Sequence, residues 1–243
     1  FLVPYTHLEE DGNRQTNYHF KRAIEREAAY DGLSRADRRQ LHQKLARRLM
    51  KMVDKGMPIP PVRIAWHLDK SDQLELAAKY YLKAGDAAMG VYSARRALRL
   101  IDRALSIIPL GSRQRFSALL KKDRVIRDIG MHDIHLDTVR EMEDLSNRFN
   151  DVGMKATAAY RFSRYEYFEG NFKNAARKLD ESLRLARTAG ERQIEVESLR
   201  ALGYLAIEKG ELDRAMDCAI WAHSLIEDNP DDAYLKGRIF GLR

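Results

Sequence analysis

A single cysteine, Cys218, in 243 residues excludes a disulfide framework and a zinc site built on cysteines. No apolar run approaches the roughly 20 residues that a membrane-spanning helix needs. The opening Phe1-Leu2-Val3-Pro4 has neither the basic start nor the long apolar stretch of a signal peptide. A reduced, cytoplasmic setting is therefore expected. The lack of an initiator Met is read as the mark of an excised fragment. Prolines number 6 and glycines 14, beside 33% charged and 44% hydrophobic residues, which excludes a disordered chain and fits a helix-rich one. Catalytic signatures are missing too. There is no Gly-rich phosphate loop, so this chain itself is not expected to hydrolyse ATP. There is no Gly-x-Ser-x-Gly elbow and no His-Glu-x-x-His pair. The expectation is a protein that is not an enzyme and carries no cofactor.

What is present begins with charge. The net charge of +7 is spread unevenly. Residues 14–63 hold 13 Lys/Arg against 5 Asp/Glu, residues 91–130 hold 10 against 3, and residues 131–243 hold 17 against 21. Such asymmetry marks either a solvated basic face or a contact with nucleic acid, membrane or an acidic protein.

Two strand-like stretches, Phe1–Tyr5 and Gln15–Phe20, flank the turn signal Glu9-Glu10-Asp11-Gly12-Asn13 and predict a β-hairpin. Only helices are predicted beyond it. The first spans Lys21–Leu33. Ser34 then caps a long helix through Val53, with Asp37 completing a capping box and Leu41, Leu45, Leu49 and Met52 as its apolar stripe. The segment Gly56–Pro61 breaks that helix and starts a short one over Val62–Leu68. Ser71 is read as the cap of a helix ending near Met89. A last helix is expected from Asp231, cut off without a partner at Arg243. Trp66 and Trp221 are expected to anchor the core, and Cys218 to be packed. Glu141, Glu143, Asp144, Glu195 and Glu197 are expected to face solvent.

Gly90, Gly130, Gly170 and Gly210 stand forty residues apart, the sign of a repeat array. Four helical pairs superpose on the residue after the inter-helix turn: Ala97, His135, Ala175 and Ala215. Small residues there let paired helices approach closely. Gly90 falls two residues early in this alignment, so the first pair is expected to have a longer turn. Met131-His132-Asp133-Ile134-His135 is the nearest approach to a metal motif. It reads instead as a helix start, since zinc takes three or four preorganised ligands.

The pattern Leu202-Gly203, Ala206, Gly210, Ala215, Ala222, with Tyr81, Gly85, Ala97, Ala104-Leu105 and Pro109, resembles the tetratricopeptide repeat (TPR). The implied fold is all-α, a TPR-like α-solenoid: a right-handed superhelix of antiparallel helix pairs behind a short N-terminal β-hairpin. The set Tyr18-His19-Phe20-Lys21-Arg22-Ala23-Ile24, Glu27-Ala28-Ala29-Tyr30, Ala65-Trp66-His67-Leu68 and Ala77–Gly85 resembles the region joining a winged-helix-like domain to the repeats in bacterial signal-transduction ATPases of the STAND type. That group includes transcriptional regulators. Many of its members have His where this chain has Arg22. The implied layout is 1–20 as the hairpin remnant of a winged-helix-like domain, 21–70 as linking helices, and 71–243 as the array, truncated at its C-terminus.

The resemblance also implies that the first helix of each pair lines a concave groove. Its positions here are Leu82, Asp86 and Met89; Leu120, Arg124 and Arg127; Tyr160, Arg164, Tyr167 and Phe168; Arg200, Tyr204 and Ile207. Arg124, Arg164 and Tyr204 are equivalent in successive repeats. Arginines beside aromatic walls suit an acidic group or a C-terminal carboxylate of a protein or peptide partner. The leading expectation is thus a non-catalytic protein-interaction and regulatory module, binding a protein segment or an effector and coupled to neighbouring domains of its own chain. The alternative is nucleic-acid binding through the basic face of residues 35–55 and 91–127, with Arg35, Arg38, Arg39, Arg47 and Arg48 on phosphates.

Overall fold

The computed structural model describes residues 2–8 and 14–227. Strands β1 (Leu2–Leu8) and β2 (Arg14–Phe20) pair antiparallel, Leu2 opposite Phe20 and Leu8 opposite Arg14, so the expected hairpin is present. Its turn, like the helix expected from Asp231, lies outside the described residues. Eleven α-helices follow among the described residues: α1 (Ala23–Asp31), α2 (Arg35–Asp54), α3 (Pro61–Lys70), α4 (Leu74–Gly90), α5 (Ala94–Ile107), α6 (Arg113–Ile129), α7 (His135–Phe149), α8 (Val152–Phe168), α9 (Phe172–Ala189), α10 (Arg192–Glu208) and α11 (Leu212–Glu227). None of them is long and apolar enough to cross a membrane. The chain divides within α4 into an N-terminal unit through Ala84 and a C-terminal unit from Gly85.

Local chemistry sets the helix ends in the N-terminal unit. The Ser34 hydroxyl accepts from the Asp37 backbone N–H at 3.1 Å and donates to the Asp37 carboxylate at 2.6 Å, capping α2. Pro61 opens α3, where its missing N–H costs nothing. Ser71, expected to start α4, instead ends α3, its hydroxyl donating to the Leu68 carbonyl at 3.0 Å. The buried stripe of α2 also differs from the expected one. Leu41 and Leu45 are exposed, while His42, Ala46 and Leu49 are buried. A polar ring can take that place because its nitrogens are satisfied. His42 Nδ1 lies 2.8 Å from His67 Nδ1, and its Nε2 lies 2.9 Å from the Tyr30 hydroxyl. Trp66 is no core anchor: it is 45% exposed, its ring set edge-on against both histidines.

The C-terminal unit repeats one packing problem. Twelve residues before the anchors Ala97, His135, Ala175 and Ala215 stand Gly85, Asp123, Ser163 and Gly203; Gly85 and Gly203 lie against Ala97 and Ala215 across the helix pair, and Asp123 bonds His135. A Cβ at Gly85 would sit 2.9 Å from Ile101 Cγ1, so any larger residue must push that side chain aside. The turns repeat as well. Tyr92, Gly130, Gly170 and Gly210, each five residues before its anchor, have φ of +56°, +65°, +77° and +76°. The expected longer first turn is therefore corrected. Tyr92 takes the left-handed position that glycine fills elsewhere, and Gly90 is simply the last residue of α4. Asn150 and Gly190 are left-handed too, so from Gly130 to Gly210 such a residue recurs every twenty positions, once per helix.

Between the helices lie apolar clusters. Tyr160, Leu179, Leu202, Leu205 and Cys218 form one, and Val196, Leu199, Ala222 and Ile226 another. Ser182, fully buried on α9, donates to the Ala156 carbonyl at 2.8 Å and meets Ser198 at 3.0 Å, tying α8, α9 and α10 together. Trp221 is 54% exposed, with the Arg187 guanidinium 5.3 Å from its ring, and so is not a core anchor either.

Two stability predictions follow from these contacts. Gly85→Ala is expected to destabilise the chain by about 1 kcal/mol, because overpacking costs about 1–3 kcal/mol and outweighs the ~1 kcal/mol that alanine gains over glycine in a helix. Gly203→Ala, whose new Cβ would meet Cys218 Cβ at an ordinary 3.5 Å, is expected to be neutral or stabilising. Denaturant melts of the two variants check this pair. Burial holds His42 and His67 below the ordinary histidine value of 6.5, with Lys70 acting further on His42, and with His42 and Arg63 acting on His67. Unfolding frees both rings to take protons at their ordinary value. Their contribution is thus present above about pH 6.5 and lost as the pH falls below it. Hydrogen exchange over residues 23–70, corrected for intrinsic rates, is expected to quicken between about pH 7.5 and about pH 5.5. His67→Gln is expected to blunt that change.

Candidate functional site

Helices α6, α8 and α10 are the first members of successive pairs in the C-terminal unit. Forty-residue spacing aligns Arg124 with Arg164 and Tyr204, and Arg127 with Tyr167 and Ile207. Arg164, Tyr167 and Tyr204 come together around a hollow of about 80 Å³, with Ser163 and Ala201 in its wall. Arg127 and Phe168 line a second hollow of about 80 Å³, beside Gly130, Met131 and His135. The rings of Tyr167 and Phe168 stand edge to face, their centroids 5.9 Å apart, and the Arg164 guanidinium lies 5.3 Å from the Phe168 ring. The remaining groove candidates lie elsewhere. Arg124 is exposed and lines neither hollow. Asp86 is held by Lys121 at 2.7 Å. Leu82, Met89 and Leu120 are half-buried, and Ile207 is exposed.

Beneath this surface runs a line of buried charge. Asp123, fully buried, accepts from His135 Nε2 at 2.8 Å. Arg127 and Arg161 approach its other oxygen at 3.3 Å and 3.4 Å, within ion-pair range yet without hydrogen-bond alignment. Tyr160 is buried, and its hydroxyl donates to Glu197 at 3.0 Å. Burial, and then the charge on Glu197, push the Tyr160 phenol up to about 12. It therefore remains a donor at any physiological pH. Arg200 lies 3.5 Å from the same Glu197 carboxylate. Glu197 is thus buried and not solvent-facing as expected, while Glu195 is taken by Arg187 at 2.7 Å and Glu143 by Lys178 at 2.6 Å. Arg127, Arg161, Arg164 and Arg200 all keep a buried Nε that lacks a hydrogen-bond partner.

Sequence reasoning passed over Arg161, Asp123 and His135 as parts of this site. The signal was in the alignment. Asp123 and His135 stand where the other pairs have glycine or serine and then alanine. A carboxylate and an imidazole at a small-residue crossing must bond each other or leave the helices. The segment before His135 is a 3-10 turn, His132–Ile134, and α7 starts only at His135. Among the described residues no group of three His, Cys, Asp or Glu side chains could hold a metal ion. Burial raises the Cys218 thiol, which makes it a packing residue and not a ready nucleophile.

Other charged surfaces are engaged locally. A wider hollow of about 680 Å³ lies among α5, α6 and α7, but its cations are paired. Arg115 bonds Glu141 and donates to the Leu105 carbonyl at 2.7 Å, and Lys122 meets Asp102 at 2.9 Å. On α2, Arg39 donates to the Ser71 carbonyl and meets Asp72, both at 3.3 Å. Arg38 lies 3.8 Å from Asp31 and stacks over Tyr30 at 5.3 Å. Arg35, Arg47 and Arg48 are exposed.

No protein-family profile matches the chain, and no curated protein does. Solved structures do. A Rap protein complexed with competence and sporulation factor superposes with a TM-score of 0.59 at 15% identity, covering 84% of this chain and 58% of that one. MamA from Desulfovibrio magneticus RS-1 gives 0.53 at 14% identity, covering 81% and 99%. TPR-like repeats of a Podosopora anserina kinesin light chain give 0.52 at 11%, covering 81% and 98%. The chain thus spans 58% of the length of the Rap protein it matches. These likenesses establish the fold as a TPR-like α-solenoid with an N-terminal hairpin.

Removing Asp123 alone strips His135, Arg127 and Arg161 of a shared buried counter-charge. Asp123→Ala is expected to cost about 3 kcal/mol, as breaking a buried pair from one side usually does. The double variant Asp123→Ser with His135→Ala gives this pair the residues of the equivalent positions, Ser163 and Ala175. It is expected to recover at least half of the loss in denaturant melts.

Proposed function

We propose that this chain is a non-catalytic protein-interaction and regulatory module of a larger bacterial signalling protein, and that the face of α6, α8 and α10 is its partner-binding groove. The observation that carries this reading is the gathering of Arg164, Tyr167 and Tyr204 around one hollow and of Arg127 and Phe168 around a second, with an Nε in each arginine that has no hydrogen-bond partner among the described residues. Exposed aromatic rings beside arginine are the side chains most enriched where binding energy concentrates. Phe168 is 47% and Tyr204 44% exposed. The Rap neighbour, complexed with a factor, supports a binding role by likeness of fold.

The finer layout belongs to the same proposal. Residues 1–20 are the hairpin of a preceding winged-helix-like domain, 21–70 link it to the array, and 71–243 form the repeats. The front motifs around Tyr18–Tyr30 and Ala65–Leu68 support a STAND-type parent working in the cytoplasm, where an ATPase or other effector domain would read the state of the array. Nucleic-acid binding through α2 is the weaker reading, because Arg38 and Arg39 already hold local partners.

Selection of a random displayed peptide library on the full chain tests the groove. Selected peptides are expected to lose about ten-fold or more in affinity on Tyr204→Ala or Arg164→Gln, as for a binding hot spot. Peptides unaffected by both variants, or no selected peptide at all, would sink the reading. A gel shift with single-stranded and duplex DNA at low salt checks the rival. A complex that dissolves steeply with salt and is lost when Arg35, Arg47 and Arg48 become Gln would favour nucleic acid.

A further inference from the structure

We infer that the face of α6, α8 and α10 reads two acidic side chains of a single extended protein segment, one in each of its two hollows. The inference rests on the groove reading above and names the ligand chemistry. Charge balance comes first. Among the described residues, Arg127 and Arg161 share Asp123, Arg200 pairs with Glu197, and Arg164 has no carboxylate within ion-pair range. Each carboxylate already has a nearer partner: His135 holds Asp123 at 2.8 Å, and Tyr160 holds Glu197 at 3.0 Å. Four guanidinium groups against two carboxylates leave an excess of two positive charges within this cluster. In all four a buried Nε makes no hydrogen bond among the described residues, Arg127 Nε standing 3.3 Å from Asp123 but out of line with it. Folded proteins leave few buried donors unpaired, and a charged one is the costliest kind. An acidic group in each hollow supplies acceptors to Arg127 in one and to Arg164 in the other.

Size and spacing narrow the ligand further. Each hollow holds about 80 Å³. One water needs about 10–15 Å³ of such space, so each hollow has room for the carboxylate end of a side chain. Helix α8 stands between them, roughly 10 Å across with its side chains, and gives Tyr167 to one hollow and Phe168 to the other. An extended chain advances roughly 3.3 Å per residue, so acidic residues two or three positions apart, with the reach of their side chains, straddle that helix. The aromatic rings would then pack on the methylenes of the acidic side chains. Neither acidic group needs to be a chain terminus.

Acetylated and amidated peptides of serine and alanine test this against the full chain by fluorescence anisotropy. They carry no glutamate, one glutamate, or two glutamates separated by two, three or six positions. The pairs at two and three are expected to bind at least about ten-fold more tightly than the single-glutamate peptide, the pair at six no better than the single one. Arg127→Gln and Arg164→Gln, checked for an unchanged helical circular-dichroism spectrum, are each expected to reduce the best pair to the level of one glutamate. Should either variant unfold, the spacing series on the unaltered chain decides alone. Equal binding of one and two glutamates, indifference to spacing, full affinity in folded arginine variants, or displacement by a short oligonucleotide at equal concentration overturns the inference. Acid-free peptides selected at the Arg164–Tyr204 face would overturn it while leaving the groove intact. Failure of every peptide, selected or designed, removes the groove reading itself.

Discussion

The close approach of two helices at a single crossing is the constraint from which the C-terminal unit is built. Packed helices lie about 8–10 Å apart, and the smaller value requires small side chains at the contact. Gly85 over Ala97 and Gly203 over Ala215 meet it with almost no side chain, and the third pair has Ser163 at the equivalent position, with little more. Once that contact is fixed, the turn before it has little freedom. The chain must reverse within a few residues, and a left-handed residue does so while satisfying the carbonyls at the helix end. Gly130, Gly170 and Gly210 take that conformation at no steric cost. Tyr92 takes it as well, with its side chain fully in solvent, where nothing in the fold rewards the strain. The turn geometry thus outranks the preference of the residue that occupies it.

The second pair meets the same constraint differently, and the chemistry of the groove follows from that. Asp123 and His135 replace two small residues by a hydrogen bond across the crossing. A carboxylate buried there draws cations. Arg127 reaches it from its own helix and Arg161 from the next. Each guanidinium has five donors, however, and one carboxylate oxygen is already engaged by the imidazole. Asp123 can gather the arginines without satisfying them. Glu197 stands in the same relation to Arg200, since the buried Tyr160 hydroxyl has the closer claim. The acids beneath the groove therefore hold the arginines in place while leaving donors for something else.

Periodic features of this fold were legible in the sequence, and the aperiodic ones were not. Helix pairs, the hairpin, the Ser34 cap and the Pro61 start all follow from local rules that need no partner. The stripe on α2 was misread by one position, because Leu41 and Leu45 are apolar and His42 is not. Burial of His42 depends on His67, twenty-five residues away. Glu197 looks like one more surface carboxylate until Tyr160, thirty-seven residues earlier, is placed against it. Trp66 and Trp221 were assigned to the core by size alone, yet each leaves about half its surface in water. Within the groove, the repeat alignment grouped Arg164 with Tyr204, which do share a hollow, and with Arg124, which does not. Equivalent positions in a repeat share a backbone, but their surroundings change wherever a neighbour such as Asp123 breaks the pattern.

That difference bears on how the face works. Its titratable groups are tuned for permanence. The Tyr160 phenol, pushed up to about 12, remains a donor, and burial keeps the Cys218 thiol protonated. Side chains held by buried partners lose less freedom when a ligand arrives, and that loss is a main cost of association. Arg200 keeps 11%, Arg127 19% and Arg161 22% of its side chain exposed, so each has been ordered and largely stripped of water before any partner binds. The desolvation of these cations is met during folding by the packing of α6, α8 and α10. On the proposed reading, what this face presents to a partner is a fixed set of positive charges, and selectivity would lie in the spacing of the negative charges that match it.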